Sequence, residues 1–238
     1  MTSPRIIALV PMKGHSSRVP GKNFKEFAGK PLFQWIIDSL LSVPEISKVV
    51  INTDAADQFR AKGLVESERL QLRSRKPELC GDEVSMNKIL ADDIAALPAD
   101  IYLMTHSTNP LLTRETIVEA LETFKPALSE GKNDSLFSVN KWQTRFYRED
   151  ASAINHDPDN LIQTQDLEPW YEENSNIYLF NRESFATTNA RIGRKPMIFA
   201  TPRLESSDID TPADWELAEV IAHWMDLKKE RSNKNGNS

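Results

Sequence analysis

Residues Pro11–Asn23 read Pro-Met-Lys-Gly-His-Ser-Ser-Arg-Val-Pro-Gly-Lys-Asn and directly follow the apolar run Ile6–Val10. An unbroken apolar run is typical of a strand buried on both faces, as in a parallel sheet. The strand therefore leads into a loop of glycines, hydroxyls and cations at its carboxyl end. Open α/β sheets bind their ligands at this end of the strands, so the loop is the first candidate binding element.

The charge of this loop indicates an anionic ligand. The first thirty residues contain six Lys or Arg and only one acid, Glu26, while the whole chain has a formal net charge of -6. The segment is thus at +5 and the remainder at -11. Concentrated positive charge in an acidic protein favours phosphate at Lys13, Arg18 and Lys22, although a solvated basic loop is the simpler alternative.

Two familiar phosphate-binding loops are excluded by spacing. A P-loop has four residues between its glycines and Ser or Thr after its lysine, whereas here six residues separate Gly14 from Gly21 and Asn23 follows Lys22. The dinucleotide fingerprint G-x-G-x-x-G is also missing. The loop therefore predicts a nucleotide site of another kind.

Size and composition predict a cytoplasmic, soluble globular protein. The chain has 238 residues and a single cysteine, Cys80, so an internal disulfide framework is excluded and a reducing compartment is favoured. We expect no membrane segment and no signal peptide, because no apolar run approaches spanning length. Net negative charge argues against nucleic acid as a partner, and the four scattered histidines argue against zinc.

Apolar strands alternate with helical patterns through the first half of the chain, which predicts an α/β fold with a doubly wound, mostly parallel sheet. The pattern predicts strands at Ile6–Val10, Lys48–Asn52, Leu70–Arg73, Ile101–Met104, Ser135–Val139 and Ile177–Phe180. It predicts helices from Pro31, at Ala55–Ala61, at Met86–Leu97, from Thr113 to about Phe124, and from Pro212 to about Lys228.

The alternation breaks between residues 140 and 176, where the sequence is aromatic and polar without helical period. Long segments of this kind in a compact domain are usually functional or contact a partner, so we expect an insertion here. Residues 1–231 are predicted to form one domain carrying this insertion, and residues 232–238 a disordered tail.

Near the other end of the chain, Asp208-Ile209-Asp210 precedes a capping box, Thr211-Pro212-Ala213-Asp214. Two carboxylates two residues apart in extended backbone point the same way and can hold Mg²⁺ through oxygen ligands. Acidic pairs before helices are also ordinary, because a helix N-terminus favours negative charge. The cationic loop strengthens the metal interpretation, because phosphoryl chemistry on a nucleoside triphosphate needs both cationic side chains and a Mg²⁺ held by carboxylates.

The strand and loop Ile7–Asn23, with Gly29–Leu32 and Asp208–Pro212, resemble the acylneuraminate cytidylyltransferases (CMP-sialic acid synthetases) and, more distantly, the CMP-Kdo synthetases. The resemblance spans nearly the whole chain. Intermediate landmarks are Val50–Asp54, Arg75–Leu79 with Asp82 and Ser85, Ser107–Leu111, and Asn174–Tyr178.

This resemblance implies a nucleotide-diphospho-sugar transferase-like fold with an inserted dimerisation arm at about 140–176, and hence a homodimer. It implies a cytidylyltransferase that joins CMP from CTP to a 2-keto-3-deoxy sugar acid of the nonulosonic or sialic type, releasing pyrophosphate, with Mg²⁺ as cofactor. The implied catalytic residues are Lys13, Lys22, Asp208 and Asp210, the two aspartates being the metal ligands. The implied nucleotide-binding residues are Lys13, Gly14, Ser16, Ser17, Arg18, Lys22, Asn23, Arg75 and Ser85, and the substrate-binding residues are His106, Glu172 and Asn174.

Three positions depart from the family pattern. Ser17 stands at the second basic position of the loop, His106 replaces a glutamine, and Glu172-Glu173 stand where many members have an arginine. Acidic side chains there would repel a carboxylate but accept hydrogen bonds from hydroxyl, amino or amide groups, or else belong to a solvated loop. Alternatives that stay open are another acidic acceptor (a Kdo-type sugar or a phosphonate), a glycosyltransferase of similar topology, and a non-catalytic nucleotide-binding relative.

Overall fold

The computed structural model describes the backbone of residues 4–235 and the side chains of residues 4–228. The strands are β1 (Ile6–Leu9), β2 (Glu26–Phe27), β3 (Lys30–Pro31), β4 (Ile46–Thr53), β5 (Leu70–Ser74), β6 (Ile101–Met104), β7 (Ser135–Trp142), β8 (Trp170–Phe180) and β9 (Pro196–Ala200). The α-helices are α1 (Leu32–Leu41), α2 (Ala56–Ala61), α3 (Met86–Ala96), α4 (Arg114–Ser129), α5 (Arg182–Thr188) and α6 (Pro212–Asn235).

The main sheet has seven strands in the order β5-β4-β1-β6-β8-β7-β9. Strands β1, β4, β5 and β6 pair in parallel, β7 pairs in parallel with β9, and β8 runs antiparallel to both of its neighbours. The expected doubly wound, mostly parallel sheet is confirmed. The chain leaves β1 toward β4 on one side and returns to β6 on the other, so the strand order reverses between β1 and β6. Open α/β sheets bind ligands at such a switch point.

Helices cover both faces of the sheet. One apolar layer joins β1 and β4 to α1, α2 and α4, with Ile36, Phe59 and Phe124 inaccessible to solvent. The opposite layer packs α3 and α5 on the sheet through residues such as Leu90 and Phe185. A third cluster packs α6 against the β2–β3 hairpin and α1. Burying a large apolar side chain contributes about 1.5–3 kcal/mol, so these layers hold the strand ends in fixed relative positions.

The structure extends the expected pattern in its second half. Strand β7 continues to Trp142 and β8 begins at Trp170, so both ends of the expected insertion are strand and only residues 143–169 lie outside the main sheet. The hairpin β2–β3, α5 and β9 were not expected. Helix α6 runs to Asn235, so residues 232–235 of the expected tail are helical, and residues 236–238 lie outside the described part. Among the described helices, none has the length and apolar content to cross a membrane.

Candidate active site

A cleft of about 250 Å³ opens at the switch point between β1 and β6. Of the expected site residues, Lys13, Ser16, Ser17, Arg18, Lys22, Asn23 and His106 line it. The loop after β1 supplies one wall, and residues 106–108 after β6 supply the other. A larger cavity of about 360 Å³ lies between α1, α4 and α6 and contains none of the expected site residues.

The loop after β1 is fixed to its neighbours by hydrogen bonds. The amide of Gly14 donates to Asp54 Oδ1 at 2.7 Å, and Asp54 directly follows β4. Asn23 Nδ2 donates to the carbonyl of Lys13 at 2.8 Å, and Ser107 Oγ donates to Asn23 Oδ1 at 2.7 Å. These bonds tie the loop both to itself and to the segment after β6, which gives the cleft two walls of defined separation.

The two ends of the chain meet at this cleft. Lys22 Nζ lies 2.6 Å from the carbonyl oxygen of Ile209 and 3.3 Å from Asp210 Oδ1, while Arg18 Nη2 lies 3.0 Å from the same carboxylate oxygen. Ile209 is fully buried and its amide donates to the carbonyl of Thr108 at 2.9 Å. The acidic segment is therefore held against both walls of the cleft, and the expected approach of cations and carboxylates is present.

Asp208 lies beside Asp210. Although Asp208 is exposed by surface area, partial burial of its carboxyl raises its pKa above the ordinary value, and the Asp210 charge adds to this rise. A hydrogen bond from Thr108 and the charge of Lys22 act in the opposite direction. Two neighbouring carboxylates whose charges repel each other favour a bound cation, which relieves the repulsion.

The carboxylate pair fits Mg²⁺ only as part of a shared site. Among the described side chains, no three His, Cys, Asp or Glu residues are grouped as a metal site. Asp208 and Asp210 provide hard oxygen ligands, and Mg²⁺ is usually bound by one or two carboxylates together with substrate phosphates and water. The donor set therefore suits a metal that arrives with a triphosphate.

Lys13 is paired within the cleft. Its Nζ lies 2.9 Å from Asp82 Oδ1, and the hydrogen bond from Lys13 lowers the pKa of Asp82. The Asp82 side chain is 84% exposed, and exposed pairs of this kind contribute little to stability. An incoming phosphate can therefore replace Asp82 as the partner of Lys13 at small cost.

Arg75 and Ser85 lie apart from the cleft surface. Arg75 is buried behind the loop, where Nη2 donates to the carbonyl of Met12 at 3.3 Å and Nε donates to Asn52 Oδ1 at 2.9 Å. Burial lowers the pKa of this guanidinium. Ser85 caps α3, its Oγ accepting from the amide of Asn87 at 3.3 Å. The contact of Arg75 and Ser85 with a nucleotide stays a prediction. In the structure, Arg75 supports the loop after β1 through its hydrogen bond to the carbonyl of Met12.

Of the three expected substrate-binding residues, one lines the cleft and the other two lie outside it. His106 lines the cleft, and burial lowers its pKa to about 4, with further lowering by the nearby charge of Arg191. His106 is therefore neutral at pH 7. Glu172 instead accepts hydrogen bonds from Asn140 at 3.0 Å and Trp142 at 2.8 Å, which lower its pKa.

Asn174 is buried in a polar network between β7, β8 and the end of β9. Its Oδ1 accepts from Ser138 Oγ at 2.6 Å, and its Nδ2 donates to Thr201 Oγ1 at 2.6 Å and to Asn140 Oδ1 at 3.0 Å. Neither Glu172 nor Asn174 lines the cleft. The structure gives both side chains protein partners, and their substrate contact stays a prediction.

Sequence reasoning gave no site role to several groups that shape the site, although Asp54 and Thr108 fall within landmarks of the family resemblance. Asp54 and Thr108 hold the two ends of the chain in place, and each follows a strand at the ligand-binding edge, a position that could have indicated them. Arg191 lies in a loop between α5 and β9, two elements that the periodicity did not reveal, so no signal in the sequence pointed to it.

Residues 7–230 match the family model described as Cytidylyltransferase. The chain is 29% identical over 239 residues to the CMP-N,N'-diacetyllegionaminic acid synthase of Legionella pneumophila, covering 95% of this chain and 98% of that protein. It is 23% identical over 226 residues to a pseudaminic acid cytidylyltransferase of Campylobacter jejuni, covering 90% and 95%.

Among solved structures, a CMP:2-keto-3-deoxy-manno-octonic acid synthetase complexed with CTP superposes with a TM-score of 0.63 at 16% identity, over 93% of this chain and 99% of that one. At this identity the likeness shows a shared fold. The family match, in contrast, spans the β1 loop, both cleft walls and the acidic segment. This chain belongs to the cytidylyltransferase family.

Proposed function

We propose that this chain joins CMP, taken from CTP, to a nonulosonic acid, a 2-keto-3-deoxy sugar acid of the sialic type, and releases pyrophosphate. The observation that carries the proposal is the contact of Asp210 with Lys22 and Arg18, two residues that line the switch-point cleft, although Asp210 itself is not a lining residue. Relatives that cover almost the same length are named for transfer to legionaminic and pseudaminic acids, which supports an acceptor of this class.

The reaction follows from the placement of charge. The oxygen of the acceptor hydroxyl bonds to the α-phosphorus of CTP and its proton passes to solvent water, while the bond from that phosphorus to the oxygen that bridges to the β-phosphate breaks and pyrophosphate leaves. Lys13, Arg18 and Lys22 offset the negative charge that grows on the departing pyrophosphate. Asp208 and Asp210 would hold Mg²⁺, which when bound supplies further neutralisation of the phosphates. His106, neutral at pH 7, provides a polar wall without adding charge.

A panel of acceptors tests this proposal. The protein is incubated with CTP, Mg²⁺ and separate acceptors: legionaminic, pseudaminic and N-acetylneuraminic acids, a Kdo-type sugar and a phosphonate. Mass spectrometry then detects CMP adducts. We expect the adduct with at least one nonulosonic acid and equal amounts of pyrophosphate. Adducts with the Kdo-type sugar or the phosphonate alone, or none with any acceptor, would contradict the proposal.

We also propose a homodimer formed through the segment 143–169 and the adjoining end of β8. Supporting this, apolar side chains here are exposed in the single chain, including Tyr147, Leu161 and Tyr171. Exposed clusters of large apolar residues mark interaction surfaces.

Light scattering tests the dimer and should give twice the 27.0 kDa chain mass. Leu161→Glu with Tyr171→Glu should give the single-chain mass, and Val65→Glu, at a separate exposed position, should not; a monomeric unchanged protein would refute the dimer.

We also propose that the protein works in the cytoplasm, because the proposed reaction consumes CTP, which is present there. Fractionation of cells that carry the natural protein would test it, and recovery of the protein outside the cytoplasmic fraction would contradict it.

A further inference from the structure

Arg191 is a charged side chain that the proposed reaction has not used. Its guanidinium carbon lies 3.8 Å from the centroid of the Tyr178 ring, and Nη2 lies 3.3 Å from Glu173 Oε1. Its Nη1 lies 3.9 Å from Met104 Sδ. The side chain is 21% exposed, so one face is stacked on protein while part of the charge still meets solvent.

These contacts place Arg191 next to the cleft. Met104 ends β6 and pairs with Tyr178 of β8, and His106, two residues beyond Met104, belongs to the cleft wall. The charge of Arg191 reaches this wall, where it contributes to the low pKa of His106. The guanidinium therefore lies close to the wall formed by the segment after β6, beside Tyr178 of β8, although Arg191 is not itself among the residues that line the cleft.

The loop that carries Arg191 is firmly held. The Asp134 carboxylate accepts from the amides of Arg194 at 2.8 Å and Lys195 at 3.0 Å, and Ser135 Oγ accepts from the amide of Gly193 at 2.8 Å. A Cβ at Gly193 would lie 2.3 Å from Asp134 Oδ1, so this backbone fits closely around the carboxylate. A loop fixed in this way holds its arginine in place before any ligand arrives, which lowers the entropic cost of binding.

The present partner of Arg191 indicates what it can bind. Glu173 is a carboxylate, its side chain is 42% exposed, and it also accepts a hydrogen bond from the Tyr178 hydroxyl. Because both side chains are partly exposed, a carboxylate from outside can compete for the same guanidinium. The three lysine and arginine side chains that line the cleft already have a part in the proposed reaction, where they face the phosphates: Lys13 is paired with Asp82, and both Arg18 and Lys22 with Asp210.

We propose that Arg191 is the residue that holds the carboxylate of the acid acceptor, and that Glu173 occupies its guanidinium until the acceptor binds. The planar guanidinium suits a carboxylate because it offers two parallel donors. The inference rests on the proposed function, since it concerns the acceptor of that reaction. It assigns acceptor recognition to a position outside the expected site residues.

Steady-state kinetics of four variants test this assignment. Arg191→Gln should raise the KM for the acid acceptor about 10- to 100-fold and leave the KM for CTP within about twofold, as expected for loss of one charged hydrogen-bonded contact. Arg191→Lys should recover part of the loss. Glu173→Gln should lower the acceptor KM, because it removes the competing carboxylate. Arg194→Gln, the same change at an exposed side chain of the same loop, should match the unchanged protein.

An acceptor whose carboxylate is converted to an amide separates recognition from a structural role. The unchanged protein should prefer the acid over the amide, and Arg191→Gln should abolish that preference. A preference retained in Arg191→Gln, or equal losses for both acceptors together with a raised KM for CTP, would overturn the inference.

The two proposals fail differently. If the unchanged protein transfers CMP to no acceptor, the proposed function fails, and calorimetric titration with N-acetylneuraminic acid and its amide then tests Arg191 by itself. Weaker binding of the acid to Arg191→Gln, with no change for the amide, would still support the inference. Equal binding of the acid to both proteins would refute it.

Discussion

Lys22 is the residue through which the first loop and the acidic segment contact each other most closely. Its side chain is 10% exposed, and its donors reach the Ile209 carbonyl and the Asp210 carboxylate. Loss of the Lys22 ammonium would leave the buried Ile209 carbonyl without this donor, which costs stability. A Lys22 substitution would therefore lower stability and activity together, which makes other residues better tests of the site.

Gly14 provides a cleaner test at the residue scale. A Cβ at this position would lie 2.4 Å from Ala55 Cβ, so Gly14→Ala must displace the loop and weaken the hydrogen bond to Asp54. We expect a rise in the KM for CTP of about tenfold or more and a stability loss of about 1–3 kcal/mol, typical of overpacking. The double variant Gly14→Ala with Ala55→Gly should recover most of the CTP affinity, since the clash is removed. A Gly14→Ala protein with unchanged CTP kinetics would show that the loop tolerates movement.

His106 should make stability depend on pH. Its pKa is about 4 in the folded protein, below the ordinary value of 6.5, so between these values the unfolded chain binds more protons. Stability is therefore fully present above about pH 6.5 and is lost as the pH falls toward 4, by about 2–3 kcal/mol. His106→Gln should remove this part of the loss in urea titrations at pH 7.5 and pH 4.5. An equal loss of stability between pH 7.5 and pH 4.5 in the unchanged protein and in His106→Gln would refute this role of His106.

At the scale of elements, helix α6 holds the acidic segment in position. Thr211 and Asp214 form the expected capping box: the Thr211 amide donates to Asp214 Oδ2 at 2.7 Å, and the Asp214 amide donates to Thr211 Oγ1 at 3.3 Å. Trp215, one helical turn after Thr211, packs edge-on against Phe27 of β2, with 5.4 Å between the ring centroids. The β2–β3 hairpin and the start of α6 thus form one packed unit beside Asp210.

Trp215→Ala should loosen this unit. Trp215 is 4% exposed, and loss of a buried tryptophan costs about 3–5 kcal/mol. We expect a lower urea midpoint and, in the protein that remains folded, a fall in kcat, because Asp208 and Asp210 directly precede the helix. Trp224→Ala, on the same helix at 48% exposure, is the matched control and should change stability by less than about 1 kcal/mol. Similar effects of both substitutions would contradict this role of the Trp215 contact.

Helices and strands with a clear apolar pattern were predictable from the sequence, whereas strand segments that form through pairing with a neighbouring strand were not. Strand β6 has the bounds that its apolar run indicated, and α3 differs by one residue. The end of β7 escaped detection because Asn140, Lys141 and Trp142 are half-buried or exposed and show no apolar alternation. The outer part of β8 is mostly exposed, so its residues show no apolar alternation. Strand β9 has only one buried residue, Phe199, which leaves too weak a pattern to recognise.

At the scale of the whole molecule, topology brings residues almost two hundred positions apart into one cleft. The cationic first loop and the Asp208–Asp210 pair together led to the expectation that the two ends of the chain face one ligand, and Lys22 and Asp210 are in contact. The contacts that fix this arrangement depend on three-dimensional packing: Asp54 receives the Gly14 amide, and the Thr108 carbonyl receives the Ile209 amide. Such partners, like Arg191, have no spacing in the sequence that could reveal them.

The rate of CMP transfer by Asp210→Asn is the most direct measurement of whether the site at the Lys22–Asp210 contact performs the chemistry. Pyrophosphate release from CTP is followed with Mg²⁺ and the best acceptor of the panel, with Asp226→Asn on α6 as the control. We expect Asp210→Asn to fold normally, since the amide oxygen can still accept from Lys22. We expect it to lose about 100-fold or more in kcat, because one carboxylate of the proposed Mg²⁺ site beside the phosphates is gone. A rate within twofold of the unchanged protein would contradict the assignment of the site to this contact.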